Sequence, residues 1–308
     1  MKVFITGICG FVGPWVAREL IERGHEVTGL AMIQPNSPAI SDWSRIPYVM
    51  GDILDADGVS RAMESATHVL HLAGISTSKA GDEARRINVD GTRTILKAAN
   101  GRRMVLASSG YVYGPTSPDR PAREDDTLNP MGEYAVSKAE METMANREFA
   151  EAEVVIARAF NHTGPGQSTA FFVPAMCEQL AKIQAGKQFP MLSVGNLEAS
   201  REMLDVRDVA RAYADLLACV KPPRVVNIAC GKPHTMQELL KNLLATVHVP
   251  ISVTRDPARS APSDLPCSTG DPSLLRQATG WTPEVPLETT LRDTLNWWKE
   301  RVRAGSVR

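Results

Sequence analysis

In the first half of the chain, short apolar runs alternate with amphipathic stretches, and that rhythm leaves few folds open. The runs Val3–Thr6, Glu26–Leu30, Tyr48–Met50, His68–Leu72, Met104–Ser108 and Val154–Ala157 read as strands. Between them, Val12–Arg23, Ala56–Ser65, Asp82–Ala99 and Glu133–Phe149 carry helical spacing. Several of the strands are almost continuously apolar, as expected when helices cover both faces of a sheet. Strand and helix alternating in this way predict a doubly wound α/β fold around a parallel sheet.

After about Gly164 the rhythm changes. Helices are predicted at Phe171–Ala185, Val206–Val220, Met236–Thr246 and Leu287–Arg303, with Pro- and Gly-rich loops between them. Val225–Ala229 reads as one more strand that rejoins the sheet, and Arg255–Pro272, with four prolines, is expected to be irregular. The predicted organisation is a main domain over residues 1–165, joined by about 206–230, and a smaller, mostly helical lobe from 166–205 and 231–308.

Composition narrows the function classes. With 43% hydrophobic residues in 308, the chain can build a core without disulfide or metal staples. A formal net charge of −1, with basic residues scattered among acidic ones, argues against a nucleic-acid binder. The five cysteines are dispersed, without a Cys-x-x-Cys pair, so reduced thiols are expected and no metal site. No apolar run approaches the roughly 20 residues of a membrane helix. The strand-like opening MKVFITG leaves no room for a signal peptide, so a cytoplasmic protein is expected.

Three glycines, Gly7, Gly10 and Gly13, follow the first strand at intervals of three. Such glycines let a strand-to-helix turn bring backbone N–H groups against a pyrophosphate at a helix N-terminus. Further on, Tyr134 and Lys138 stand four residues apart on a predicted helix, so phenol and ammonium share one face. A cation there is expected to lower the Tyr134 pKa toward working pH. Ser108 and Ser109 end the strand Met104–Ser108 and its turn, where parallel sheets place ligands. Ser109 can hydrogen-bond a substrate oxygen beside the Tyr134 hydroxyl.

In their order along the chain these motifs resemble the extended short-chain dehydrogenases that act on nucleotide sugars, the NAD-dependent epimerase/dehydratase family. The resemblance also takes in Gly51-Asp52-Ile53, His71-Leu72-Ala73-Gly74, Asn88 with Gly91-Thr92, and Arg201 with Asp205 and Asp208. It implies a Rossmann domain and a catalytic set of Ser109, Tyr134 and Lys138, with Ser109 selected over Ser108 as the serine four residues before the Tyr of Val-Tyr-Gly. The implied cofactor contacts are Gly7, Gly10, Phe11, Val12, Gly13, Ala31, Asp52, Ile53, Leu72, Ala73, Gly74 and Asn88, together with Tyr134 and Lys138. The segment Arg158–Gln167, the run Val194–Glu198 and the ending Thr279–Pro283 are similar to the GDP-6-deoxy-D-mannose reductase branch. By that resemblance Asn161 and Arg201 contact the substrate, the latter at the diphosphate, and the product of the reaction is GDP-D-rhamnose.

Two departures from the family pattern matter. A second diphosphate arginine is missing, with Ala261 at its position, and Arg259 is the candidate replacement. The Asp-Glu pair that 4,6-dehydratases carry directly after the catalytic Ser/Thr is replaced by Gly110 and Tyr111, which argues for a reductase or epimerase. No acid ends the second strand at Ala31, so NADP(H) is favoured and NAD(H) is usable. A 4-epimerase holding NAD tightly is the nearest rival, and a non-catalytic dinucleotide-binding regulator a remote one. The family usually forms homodimers, here expected through Asp82–Ala99 and Glu133–Phe149.

Overall fold

The computed structural model describes residues 1–35, 37–75, 81–247, 249–256 and 265–305. Its centre is a seven-stranded sheet, parallel at every pairing. The strands are β1 (Lys2–Thr6), β2 (Glu26–Ala31), β3 (Tyr48–Met50), β4 (His68–His71), β5 (Arg103–Ser109), β6 (Val154–Ala159) and the late strand Val225–Ile228. From one edge the order is Val225–Ile228, β6, β5, β4, β1, β2, β3. The chain therefore winds outward from β1 in both directions, and the switch point lies between β1 and β4. Every strand lies where the apolar runs predicted it, and the last, Val225–Ile228, returns to the sheet as expected.

Helices cover both faces. On one, α1 (Gly13–Glu22) and the later helix Val206–Ala218 close a core that includes Ile5, Leu20, Leu70, Val105, Val209 and Leu216. On the other, α2 (Ala56–Ala62), α3 (Gly81–Arg85), α4 (Thr92–Ala99) and α5 (Glu133–Glu148) shape the surroundings of Phe4, Met63, Ile95, Leu106, Met141 and Ile156. The continuous helix predicted over Asp82–Ala99 is instead interrupted by a π-helical stretch, Arg86–Gly91. Just after it the Thr92 hydroxyl donates back to the Asn88 carbonyl at 2.6 Å. Wide turns of this kind cluster at functional sites, because they re-aim a side chain; here it is that of Asn88.

The later lobe has its own apolar centre, with Leu180, Leu192, Leu239, Leu243, Leu295 and Trp298 drawn from helices Phe172–Gln184, Met236–Leu244 and Leu287–Arg303. It also holds elements too short to be read in advance. Strand Ser200–Glu202 lies between Pro233–Thr235, antiparallel, and Cys267–Ser268, parallel. Helix Ser273–Thr279 ends on Gly280, which adopts the left-handed conformation. Glu202 fastens this small sheet. Its buried carboxylate accepts from the backbone N–H groups of Cys230, Gly231 and Gly270. The five cysteines are all free, and no described helix is long and apolar enough to cross a membrane.

Candidate active site

The glycine loop joins β1 to α1. Gly7 has φ +71°, and a side chain on it would meet the Ala73 backbone nitrogen at 3.0 Å. A Cβ on Gly13 would lie 2.5 Å from the Gly7 carbonyl oxygen and 2.7 Å from Ile8 Cα, so only glycine lets helix and loop come this close. No side chain caps α1; Pro14 has no N–H and Trp15 and Val16 turn theirs to the Val12 carbonyl, so the N–H groups of Phe11, Val12 and Gly13 are the ones that can face an anion. That cradle, lost to any Cβ, fits the pyrophosphate of a dinucleotide.

Beneath the loop runs a directional relay that fixes a tautomer. The Thr92 hydroxyl proton goes to the Asn88 carbonyl, so the Thr92 oxygen accepts from His71 Nε2 at 2.9 Å. His71 Nδ1 therefore accepts, from Thr6 Oγ1 at 2.6 Å, while the Thr6 oxygen receives the Ala73 N–H at 3.2 Å. Burial holds His71 neutral, with its pKa lowered to about 3 and the Lys138 charge adding to the effect. The Asn88 amide is fully engaged. It accepts from Ile75 N at 2.9 Å and donates to Ile75 O at 3.1 Å and Ser137 Oγ at 2.9 Å. Asn88 thus pins the loop after β4 to α5 and shapes the cofactor cleft.

The other expected cofactor residues are distributed unevenly. Ala31 is buried, its methyl in the core, and the exposed side chains that follow β2 are Met32 and Ile33. Asp52 is occupied in its own turn, accepting from Leu54 N at 3.0 Å, and Ile53 is buried against the Gly91 backbone. Leu72, Ala73 and Gly74 continue from β4 along the cleft. A Cβ on Gly74 would meet the Lys138 ammonium at 3.4 Å, which places Lys138 on this loop. Phe11, from the glycine loop, stacks on His162 with centroids 6.0 Å apart. Val12 occupies the residue before α1.

At the carboxyl end of the sheet the structure brings Ser109, Tyr134 and Lys138 together. Ser109 ends β5 and is buried, with Tyr134 as a side-chain hydrogen-bond partner. Helix α5 presents Tyr134, Lys138 and Glu142 at successive turns. Burial pushes the Tyr134 phenol up to about 12, offset in part by the Ser109 hydrogen bond. Burial also draws Lys138 down to about 8, with Glu142 opposing. The Lys138 ammonium donates to the Ala107 carbonyl at 2.8 Å. This corrects the expectation that Lys138 brings Tyr134 toward working pH. Here burial of the phenol sets the direction, with Ser109 the group that opposes it.

Sequence reasoning passed over what holds α5 in place. Glu142 accepts from Ser108 Oγ at 2.5 Å and from Arg158 through Nε at 3.0 Å and Nη2 at 2.7 Å. Arg158 also donates to the Tyr113 hydroxyl at 2.7 Å, and that hydroxyl donates to Asn227 Oδ1. Glu142 and Arg158 are 2% and 5% exposed, so each charge depends on the other. The available signal was the four-residue interval from Tyr134 to Lys138, continued once more to Glu142.

The residues expected to meet the substrate, Asn161 and Arg201, converge on Tyr111. Asn161 donates to the Tyr111 hydroxyl at 2.9 Å, and the Arg201 guanidinium lies 5.9 Å from the Tyr111 ring centre. Arg201 itself sits on the strand Ser200–Glu202 and donates to the Ser200 carbonyl at 2.8 Å. Arg259 and Ala261 lie outside the described residues.

Comparison with known proteins agrees with this geometry. The family model for GDP-mannose 4,6 dehydratase matches residues 4–294. GDP-6-deoxy-D-mannose reductase of Pseudomonas aeruginosa is 32% identical, with 98% of each chain covered. A UDP-glucose 4-epimerase of Mycolicibacterium smegmatis is 28% identical, over 98% of this chain and 99% of that one. Among solved structures, RMD from Pseudomonas aeruginosa complexed with NADPH superposes with a TM-score of 0.82 at 28% identity, covering 97% of this chain and 99% of that one. The Thermus thermophilus UDP-glucose 4-epimerase complex with NAD gives 0.84 at 28% identity and the same coverage. With its glycine cradle, Ser-Tyr-Lys centre and nearly full-length match, this chain belongs to the GDP-mannose 4,6 dehydratase family of extended short-chain dehydrogenase/reductase enzymes, which work with a nicotinamide dinucleotide.

Proposed function

We propose that the enzyme reduces a 4-keto-6-deoxy nucleotide sugar, GDP-4-keto-6-deoxy-D-mannose to GDP-D-rhamnose, and that it prefers NADPH while accepting NADH. The observation that carries this reading is the Ser109–Tyr134 hydrogen bond at the end of β5, with Gly110 and Tyr111 following Ser109 in place of the acid–base pair for water loss. A Cβ on Gly110 would lie 2.6–2.8 Å from the Phe160 ring, so an acidic side chain could not enter without displacing that ring. The 32% identical reductase points the same way.

The glycine loop and the α1 N-terminus would hold the dinucleotide, whose nicotinamide supplies the hydride. Ser109 holds the keto oxygen, and Tyr134 gives its proton to that oxygen as negative charge develops there. Lys138 stabilises the tyrosinate that remains and anchors the nicotinamide ribose. Asn161 and Arg201 hold the sugar and diphosphate, with Arg259 supplementing Arg201, a role suited to the guanidinium fork. In this reading residues 1–165, with about 206–230, bind cofactor, and 166–205 with 231–308 bind substrate. The enzyme is a cytoplasmic homodimer that packs through 82–99 and 133–149.

The test is a panel of 4-keto and 4-hydroxy nucleotide sugars with NADPH and NADH. Stoichiometric NADPH oxidation with a 4-keto sugar is expected. Interconversion of 4-hydroxy sugars without net NADPH consumption would make the enzyme an epimerase.

A further inference from the structure

Tyr111 was assigned no role by its sequence motif, yet it touches three residues of the site. It leaves β5 two residues after Ser109, in the short turn Gly110–Tyr113, and the Ser109 hydroxyl accepts its backbone N–H at 3.2 Å. That bond ties the position of Tyr111 to the residue that holds the keto oxygen. Its ring meets Tyr134 edge to face, with centroids 6.5 Å apart and planes at 81°. Its hydroxyl oxygen accepts from Asn161 Nδ2 at 2.9 Å.

A phenol has one proton to give. With the oxygen receiving the Asn161 amide, that proton points elsewhere, and among the described residues no acceptor is recorded for it. Asn161 repeats the pattern, since its Oδ1 is buried and has no partner among the described residues. One donor and one acceptor are thus left beside Tyr134, in a protein where buried polar groups are nearly always paired. A vicinal hydroxyl of a sugar ring, which both donates and accepts, complements them.

We propose that Tyr111 is a specificity-determining residue, donating a hydrogen bond to a ring hydroxyl of the bound sugar whose own proton goes to Asn161 Oδ1. The keto oxygen is already served by Ser109 and Tyr134, so the partner of Tyr111 is a neighbouring hydroxyl. This inference rests on the nucleotide-sugar reading and adds to it the group that reads the sugar.

The experiment is calorimetric titration of wild type and Tyr111→Phe with GDP-mannose, with UDP-glucose and with the matching free diphosphates, all in the presence of NADP⁺. Phenylalanine keeps the ring and its contact with Tyr134. Whichever sugar nucleotide wild type binds more tightly should bind the variant about tenfold more weakly, the cost of one unmade hydrogen bond in a closed site. The free diphosphate and NADP⁺ should bind as before. Equal affinity of wild type and variant for the sugar nucleotide overturns the proposal, as does equal weakening for sugar nucleotide and diphosphate. Steady-state kinetics with a 4-keto sugar add a second criterion. A rise in KM with kcat little changed supports the assignment, whereas a fall in kcat alone would place Tyr111 on the keto oxygen and overturn it. If wild type binds the nucleotide sugars but reduces none, the reductase reading fails while the titrations still decide the role of Tyr111.

Discussion

Acidification should strike this enzyme through His71, and the size of the effect follows from where the ring sits. Neutral His71 donates to Thr92 and accepts from Thr6, so an added proton at Nδ1 would turn the acceptor of the Thr6 bond into a second donor. Burial lowers its pKa from 6.5 to about 3. The sign follows from linkage. Between these values the unfolded chain binds a proton that the folded chain refuses, so stability falls as pH drops below about 6.5 and levels off only near 3. Each unit of pH in that window costs about 1.4 kcal/mol, which gives about 2 kcal/mol at pH 5 and about 3 kcal/mol at pH 4. His71→Gln removes the titration and loses the Thr6 bond, a pH-independent cost of about 1–3 kcal/mol. The assay is urea unfolding of wild type and His71→Gln at intervals from pH 7.5 to pH 4, outside the range in which either precipitates. The stability gap between them should narrow on acidification by the amounts above, because other groups titrate alike in both proteins. Parallel curves with a constant gap would refute the neutral relay.

Other expectations follow from the same site. Tyr134→Phe should lower carbonyl reduction by about 10²-fold or more with the fold intact, measured as kcat beside the circular dichroism spectrum. With the phenol protonated through the working range, the basic limb of kcat/KM belongs to Lys138; activity should decline as pH rises through about 8, and an unchanged rate to pH 10 would remove Lys138 from that role. Glu142→Gln leaves the Arg158 charge buried without its partner and should cost about 3–5 kcal/mol in chemical unfolding, whereas an exposed pair would cost under about 1 kcal/mol. Arg201→Ala should weaken GDP binding about ten- to a hundredfold and leave NADPH binding alone, read by calorimetry.

The main sheet could be read from the sequence because its strands are apolar on both faces, and a continuous run such as Val154–Ala157 has few other uses. The catalytic helix was legible for a related reason, since residues four apart share a face, and Tyr134 and Lys138 had to point together. What escaped reading is set by contacts between remote segments. Strands Ser200–Glu202, Pro233–Thr235 and Cys267–Ser268 are two or three residues long, too short for a period of two to register. The π-helical stretch Arg86–Gly91 keeps the apolar spacing of an ordinary helix, so its periodicity does not announce the wider turn. The Lys138 error has the same origin. Spacing shows that the ammonium and the phenol lie on one face, but only the folded chain shows how the phenol is buried.

The carboxylate of Glu202 has a consequence for how the protein comes into being on the ribosome. The glycine loop draws on residues made early, because Gly7, Gly13 and Ala73 all belong to the first quarter of the chain. Arg201 is different. The strand that carries it is flanked by segments made later, and the neighbouring Glu202 waits for N–H groups from Cys230, Gly231 and Gly270. Until those residues are synthesised, Glu202 is a carboxylate without its intended donors and must stay in water, holding its strand open. The small sheet that carries Arg201 can therefore close only once residue 270 has been made.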